Sequence, residues 1–589
     1  MYRIFVLIGL ATCLMSCKKT DDDLGGQGSV TTVTKITSDL TWEISTDKAI
    51  YAPGATVRFQ SNGTVTSNTH VRYRCGSTVV GDEPLTAAEW TWTTPSEDGK
   101  GYLVEIYRKK EDGTQQIVGT IGVDVSSDWK LYPRYGFVAT FDNTKTEQVI
   151  AEEMAFLNRC HINGVQFQDW HYKHHYPAPL SNGSLMSTYT DIANRQVQTK
   201  VVRDYIAAQH AYGMQSIFYN LCYGALSDAQ SDGVKEEWYL FHDGEHSRKD
   251  WHDLPDSWKS DIYLMDPTNA DWQHYLADRN EEVYSHFDFD GFQIDQLGWR
   301  GDRYTYQGQQ IDFGKGFASF ITAMKQRHPD KRLIMNAVGS YCSQAILQTN
   351  HMDFAYNECW EGEDKFSDLR NIIRANDVYS AGKVKTVFAA YMNYKMDNCA
   401  FNIPGVLLTD AVMFALGGSH LELGDHMLCR EYFPYTGVYM SDALREQIIR
   451  YYDFMTAYEN LLRGGGEEKA LTVSVGSEKK VGITAWPPKM NKITTYTKQQ
   501  DNRYIVHLLN FLNANSLSWR DMEGTMPAPR TTKELPLVLS VSQAVKHVYC
   551  ASPDYHGGAL VELPFQQVNG TLTFTVPTLK YWDMLIIEH

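Results

Sequence analysis

Two short apolar runs in this chain each end on a carboxylate. The first is Phe287-Asp288-Phe289-Asp290-Gly291-Phe292-Gln293-Ile294-Asp295-Gln296-Leu297-Gly298; the second is Met352-Asp353-Phe354-Ala355-Tyr356-Asn357-Glu358-Cys359-Trp360. Both read as buried strands, too short and too apolar for anything else. A carboxylate at the exit of a buried strand is costly to desolvate unless something satisfies or uses it. Asp295 has a bland reading, as the cap of a following helix. A second carboxylate, Glu358, at an equivalent exit favours a chemical reading, because paired carboxyl groups can trade protons with a substrate. Asp290 and Asp353 stand at the entry of their strands, where polar groups serve stability more often than catalysis.

The elements that must position this pair repeat as strand, polar loop and helix from about Leu131 to Leu462. The apolar runs predict strands at Gly136–Phe141, Gly164–Gln168, Gln215–Tyr219, Gly291–Asp295, Leu333–Asn336, Phe354–Glu358, Thr386–Tyr391 and Ser419–Leu423. Helical spacing covers Glu147–Arg159, Thr199–Tyr212, Trp272–Ser285, Gly314–Gln326 and Phe366–Arg374, and a further helix is expected at Tyr451–Arg463. Eight alternations fit one (β/α)8 barrel, residues 129–465. A doubly wound sheet is the competitor, but no Gly-rich phosphate loop follows the first strand.

The other strand exits are polar and aromatic. They offer Asp169, Trp170, His171 and Lys173 after the second strand, and Tyr219 and Tyr223 after the third. Gln293, Gln296, Asn336, Asn357, Trp360, Tyr391, Asn393, His420 and Glu422 follow along the chain. Amides, carboxylates, Tyr and His bind hydroxyls, and aromatic rings cover sugar faces, so these are the candidate substrate contacts. His171, His174 and His175 raise the question of a metal, but the His-Glu-x-x-His spacing is absent and no Cys is near; no metal site is assigned, and contact with sugar is the favoured reading of this cluster, ahead of structural hydrogen bonding.

On either side of the barrel the pattern is short alternating strands with turn signals. Residues 31–128 read as an Ig-like β-sandwich, acting as a spacer or a glycan binder, and residues 466–589 as a second β-sandwich. The 36 Tyr and 14 Trp suit a sugar ligand as well as a plain core. A net charge of −17 argues against a nucleic-acid partner and against an acidic polysaccharide, and suits a neutral one. Of ten cysteines, none forms a Cys-x-x-Cys pair, so a zinc ribbon is not expected. Free thiols are the default, with one disulfide conceivable outside the cytosol.

The first residues address the chain. Met1-Tyr2-Arg3 followed by the apolar run Ile4–Met15 is a signal peptide over residues 1–16. Leu14-Met15-Ser16-Cys17 resembles a bacterial lipobox, which implies lipidation of Cys17. The alternative is a plain secretion signal. Lys18-Lys19-Thr20-Asp21-Asp22-Asp23 resembles the surface-export signal of Bacteroidetes lipoproteins. Residues 17–30, with Gly25, Gly26 and Gly28, then read as a flexible tether. The expected location is lipid-anchored, at the outer membrane or cell surface of a Gram-negative bacterium. Other surface glycan-uptake proteins are possible neighbours there.

Asp290–Gly298 with Tyr356-Asn357-Glu358-Cys359-Trp360 resembles glycoside hydrolase family 66, the dextranases and cycloisomaltooligosaccharide glucanotransferases. Asp169–His175, Asn220–Ala225 and Gly417–Gly424 resemble it too, as does the order sandwich, barrel, β domain. The resemblance spans nearly the whole mature chain. It implies action on α-1,6-linked glucan with retention, with Asp295 as nucleophile and Glu358 as general acid/base, and no cofactor. The cyclising members carry a carbohydrate-binding module inserted in the barrel, and no block of that size is visible here. The expected activity is therefore endo-hydrolysis of dextran to isomaltooligosaccharides. A cyclising transglycosylase and a non-catalytic surface glycan binder are the two other readings.

Overall fold

The structure is a computed structural model, and it describes residues 28–431 and 434–589. The proposed signal peptide, Cys17 and most of the tether lie outside these residues.

Eight parallel strands lie side by side in chain order: β1 (Tyr135–Val138), β2 (Gly164–Phe167), β3 (Gln215–Leu221), β4 (Gly291–Asp295), β5 (Arg332–Val338), β6 (Ala355–Glu358), β7 (Thr386–Ala389) and β8 (Ser419–Leu421). Eight helices cover the outside of this sheet. They are α1 (Glu147–Arg159), α2 (Thr199–Ala211), α3 (Ala270–His286), α4 (Phe313–Arg327), α5 (Ser343–Gln348), α6 (Phe366–Ser380), α7 (Ile403–Ala415) and α8 (Asp442–Ala457). The sheet curls until Phe137 on β1 meets the residues just beyond β8. Its N–H donates to the Leu423 carbonyl at 3.1 Å, and its own carbonyl accepts from Asp425 N–H at 3.2 Å, nearly closing a barrel.

Strand parity fills the interior. Tyr135, Phe137, Ile217, Ile334, Phe354, Tyr356, Val387 and Leu421 form one inward cluster, each two residues from the next inward position on its own strand. Trp129 plugs the floor. Its indole N–H donates to Asp353 Oδ2 at 2.7 Å, and its ring lies where a Cβ on Gly164 would come within 2.0 Å, so only glycine fits there. Asp353, at the entry of the second apolar run, is thus a floor residue. So is Asp290, which accepts from His210 and from Ser216 N–H.

Two sheets precede the barrel. One has five strands and one has three, and they share a core around Trp42, Val57, Tyr73, Val104 and Ile121. After it, a seven-stranded and a five-stranded sheet pack together through residues such as Val506, Leu508, Leu537 and Leu572. Buried charge ties these parts. Arg134, just before β1, pairs with Asp124 of the first block at 2.6 Å and with Glu459 after α8 at 2.8 Å, all three buried. Such a triad is expensive to break, because removing one member leaves an unpaired buried charge.

Two expectations are corrected, and one helix is new. Gly28–Val30 is not tether: it forms a strand, antiparallel to Phe565–Gln567 in the last sheet, so the chain enters at the C-terminal block. The helix expected at Tyr451–Arg463 is the second half of a longer one, Asp442–Ala457, followed by a short helix Glu459–Leu462; the longer one is capped by the Ser441 hydroxyl, which accepts from Leu444 N–H. Helix α7 escaped detection because it has no polar face: every residue from Gly405 to Ala415 is buried, between the barrel and strand Arg503–Asn510.

Candidate active site

The inward faces of β3 to β7 deliver six polar side chains to one end of the barrel. On β4, Gln293 and Asp295 share the inward parity, while Phe292 turns outward to stack on Phe218 at 4.8 Å. Tyr219, Asn336, Glu358 and Tyr391 hold the corresponding places at the ends of β3, β5, β6 and just beyond β7. They form a single chain of donors around two carboxylates. Tyr219 donates its hydroxyl to Asp295 Oδ2 at 2.7 Å, and Tyr391 donates to Glu358 Oε1 at 3.0 Å. Asn336 spans the gap, its Nδ2 donating to Asp295 Oδ1 at 2.8 Å and to Glu358 Oε2 at 2.6 Å. Those two oxygens are therefore no farther apart than the two bonds laid end to end, 5.4 Å.

The two carboxyl groups do not share one electrostatic environment. Burial pushes Glu358 up to about 7, and the neighbouring Asp295 charge adds to that push. Burial raises Asp295 as well, but the Tyr219 and Asn336 donors favour its ionised form. The pair thus ionises in order, Asp295 before Glu358. A third carboxyl, Asp169, sits in the same cleft on a left-handed backbone (φ 48°) and is held at about 7, chiefly by burial.

The cleft has a volume of ≈260 Å³. Of the candidate contacts, the structure brings Asp169, Tyr219, Gln293, Gln296, Asn336, Trp360 and Tyr391 to its wall together with Asp295 and Glu358. Trp360 lies beside Tyr391 at 5.4 Å, with the Arg520 guanidinium 5.4 Å from its ring.

The remaining candidates are corrected. Trp170 is wholly buried behind the barrel, against Phe287 and Phe289 at 5.1 and 4.9 Å. His171 is buried behind Tyr219 and pairs with His174 Nδ1 at 3.0 Å. Lys173 is spent on Asp228 and Asp232, at 2.6 and 2.7 Å. The Tyr223 hydroxyl accepts from Leu297 N–H at 2.9 Å and so shapes the loop after Asp295 from behind. Asn393 donates to the Asp521 carbonyl at 2.7 Å and anchors the C-terminal block. Asn357, His420 and Glu422 fail by parity. Each neighbours an inward residue, so each points out: Asn357 to Asn376 on α6, and His420 and Glu422 to Asp410 on α7 and Tyr452 on α8.

The wall holds further residues, of which Gln168 stands at the polar exit of the second strand and His174 in the histidine cluster, while the others are not among the candidates. Gln166 and Gln168 carry the inward parity of β2. His174 faces the cleft with Nε2 unpartnered, while its Nδ1 meets Asn220 Oδ1 at 2.9 Å. His252, Leu254, Trp258 and Ile262 arrive from the long excursion between β3 and α3, and Glu431 from the one after β8. Neither has a periodicity that points at the barrel. Two groups of carboxylates and imidazole have cation-like spacing among the described residues. In the His175, Asp228 and Asp232 group, the Lys173 ammonium already bonds one oxygen of each carboxylate, at 2.6 and 2.7 Å. The Asp410, His420 and Glu422 group is buried outside the barrel wall, away from the cleft. The eight cysteines among the described residues are unpaired.

The sequence profile of glycosyl hydrolase family 66 matches residues 46–586. A cycloisomaltooligosaccharide glucanotransferase of Niallia circulans is 26% identical over 710 aligned positions, which cover 92% of this chain and 72% of that protein. A dextranase of Streptococcus salivarius is 25% identical over 581 positions, 85% of this chain and 68% of its own. In three dimensions, a Paenibacillus sp. cycloisomaltooligosaccharide glucanotransferase complexed with cycloisomaltoheptaose is similar in fold, with a TM-score of 0.84 at 23% identity. That match covers 93% of this chain and all of the other.

Proposed function

The chain belongs to glycosyl hydrolase family 66, and from that premise we propose that it is a retaining endo-dextranase. It would cleave α-1,6-glucosidic bonds of dextran through a covalent glucosyl–enzyme. The observation that carries this reading is Asn336 donating to both Asp295 and Glu358, which caps their nearest approach at 5.4 Å. Retaining glycosidases need about 5–5.5 Å between carboxyl groups; inverting ones leave about 6.5–9.5 Å for a water.

Asp295, ionised first, attacks the anomeric carbon from the face opposite the leaving O6, giving a β-glucosyl ester. Glu358, protonated up to about pH 7, donates its proton to that O6 as the bond breaks. Its new carboxylate keeps the Tyr391 and Asn336 donors. It then takes a proton from water, which attacks the ester and restores the α configuration. Asp169, Gln293, Tyr219 and Trp360 line the space where the sugar ring must sit.

Hydrolysis is favoured over cyclisation by the alignment with the glucanotransferase. It spans 710 positions but only 92% of 589 residues, about 540, so about 170 positions of that relative have no counterpart here. The cyclising reading is kept alive by the fold likeness. We also propose that residues 31–128 and 466–589 are flanking β-sandwich domains, and that Cys17 is lipidated and anchors the protein at the cell surface. Digestion of dextran followed by sizing of the products tests the activity. Linear isomaltooligosaccharides with early loss of polymer length are expected. Cyclic products would turn the assignment to a transglycosylase, and dextran binding without cleavage would remove the enzyme altogether.

A further inference from the structure

The two C-terminal sheets enclose a second cavity, of ≈220 Å³, which shares no lining residue with the cleft. It lies between strands His547–Ala551 and Trp582–Glu588 of the seven-stranded sheet and Thr571–Leu579 of the other. Most of the wall is apolar, including Ala559, Val561 and Leu563, with Tyr555 half-buried and Pro577 exposed beside it. Asp583 reaches this wall fully buried, and neither of its carboxyl oxygens makes a hydrogen bond of normal geometry within the protein; the neighbouring Ser552 hydroxyl favours its ionised form but points its proton elsewhere.

That is an unusual place for a carboxyl group. Buried charges are normally paired, and buried polar atoms are normally bonded. No Lys or Arg lines this cavity, and its one imidazole, His556, engages Ser38 Oγ at 2.9 Å. The Ser552 hydroxyl donates to the Trp582 carbonyl at 2.7 Å. Burial holds Asp583 well above the usual carboxylate range. Burial therefore favours its protonated form, an acid with one O–H donor and spare acceptor lone pairs. A leucine there would fill space without a desolvation cost, so the polar group is a feature that packing does not explain.

We propose that this cavity is a glucan-docking site, in which Asp583 takes two adjacent hydroxyls of one glucose unit and Tyr555 covers the ring. A vicinal diol presents one acceptor and one donor to a neutral carboxyl, which matches both in a single geometry. An apolar wall with a tyrosine at its edge fits the C–H face of the sugar. The choice of glucose among neutral polyols rests on the dextranase reading above. A site distant from the cleft holds the polymer near the enzyme through effective concentration rather than through chemistry.

The test compares wild type, Asp583→Leu and Tyr555→Ala by mobility in dextran-containing native gels and by kcat/KM on isomaltotetraose. Both variants are expected to lose at least threefold in apparent dextran affinity and to stay within twofold of wild type on isomaltotetraose. Dextran retardation equal to wild type in both variants overturns the proposal. So does a parallel fall of retardation and turnover, or thermal stabilisation by ethanolamine but not by isomaltose. A wild type that is retarded yet cleaves nothing, with variants that lose the retardation, leaves the docking site standing and removes the hydrolase.

Discussion

Asn336→Ala is the perturbation that reaches both carboxylates at once. It deletes the donor that stands 2.8 Å from Asp295 and 2.6 Å from Glu358. The two losses act differently on the rate. Asp295 gives up its charge as it bonds to the sugar, so its hydrogen bond weakens on the way to the transition state. Glu358 gains charge as it releases its proton, so its hydrogen bond strengthens, and only such gains accelerate the reaction. A hydrogen bond to a charged group contributes about 1.5–3 kcal/mol. The expected fall in kcat/KM is therefore about 10- to 150-fold. The pH profile carries a second signature. Asn336 favours the ionised form of both groups. Its removal therefore moves the acid limb, set by Asp295, and the alkaline limb, set by Glu358, to higher pH. The fold should survive, because the Asn336 Oδ1 has no protein partner that truncation would orphan. Initial rates on isomaltotetraose across pH 4–9, with a melting curve at each end, measure all three. A loss under threefold, or a larger loss with both limbs unmoved, would refute the bridging role.

Further expectations follow from single contacts. Tyr391→Phe removes a donor that lowers the pKa of Glu358, so the alkaline limb of kcat/KM should climb from about 7 by about one pH unit, equivalent to about 1.4 kcal/mol. An alkaline limb that stays or falls counts against Glu358 as the acid. Glu422 lies outside the cleft and is raised by burial from 4.5 to about 8. Its folded form binds the proton more tightly than its unfolded form, so its contribution is full below pH 4.5 and lost as pH rises through about 8. Glu422→Gln should flatten that alkaline loss in melting temperature while leaving turnover within about twofold; an unchanged pH slope of stability contradicts it. Trp170→Ala should destabilise the protein by about 3–5 kcal/mol in denaturant unfolding, with KM unaltered where the variant stays folded. A raised KM without destabilisation would return Trp170 to the binding surface.

Much of this was legible in the chain, and what was not has identifiable causes. The two apolar runs mark β4 and β6 because a barrel strand buried on both sides has little reason to alternate. That same feature hides which residues face inward. Asn357 beside Glu358, and His420 and Glu422 around Leu421, look alike in sequence to residues of the cleft. The two-residue parity counted back from Glu358 separates Asn357; for His420, Glu422, Gln166 and Gln168 the parity must be carried across from neighbouring strands, and that register is visible only in the structure. Helix α7 is buried all round by the C-terminal sheet, so the period that reveals an amphipathic helix is absent from it. His252, Trp258 and Glu431 come from long connections whose course is fixed by tertiary contacts, for which local sequence carries no signal. Trp170 and Lys173 were misplaced for the opposite reason: their types suit a sugar, but a packed aromatic cluster and two aspartates claim them first.

The most direct test of the central pair is the configuration of the first product. Hydrolysis of isomaltotetraose followed by proton NMR, before mutarotation mixes the anomers, reads it in minutes. An Asp295 and Glu358 pair bridged by Asn336 predicts that the newly formed reducing end appears as the α anomer and drifts later to the equilibrium mixture. Early accumulation of the β anomer would mean that water, not Asp295, attacks the sugar, and the retaining mechanism built on these two residues would be wrong.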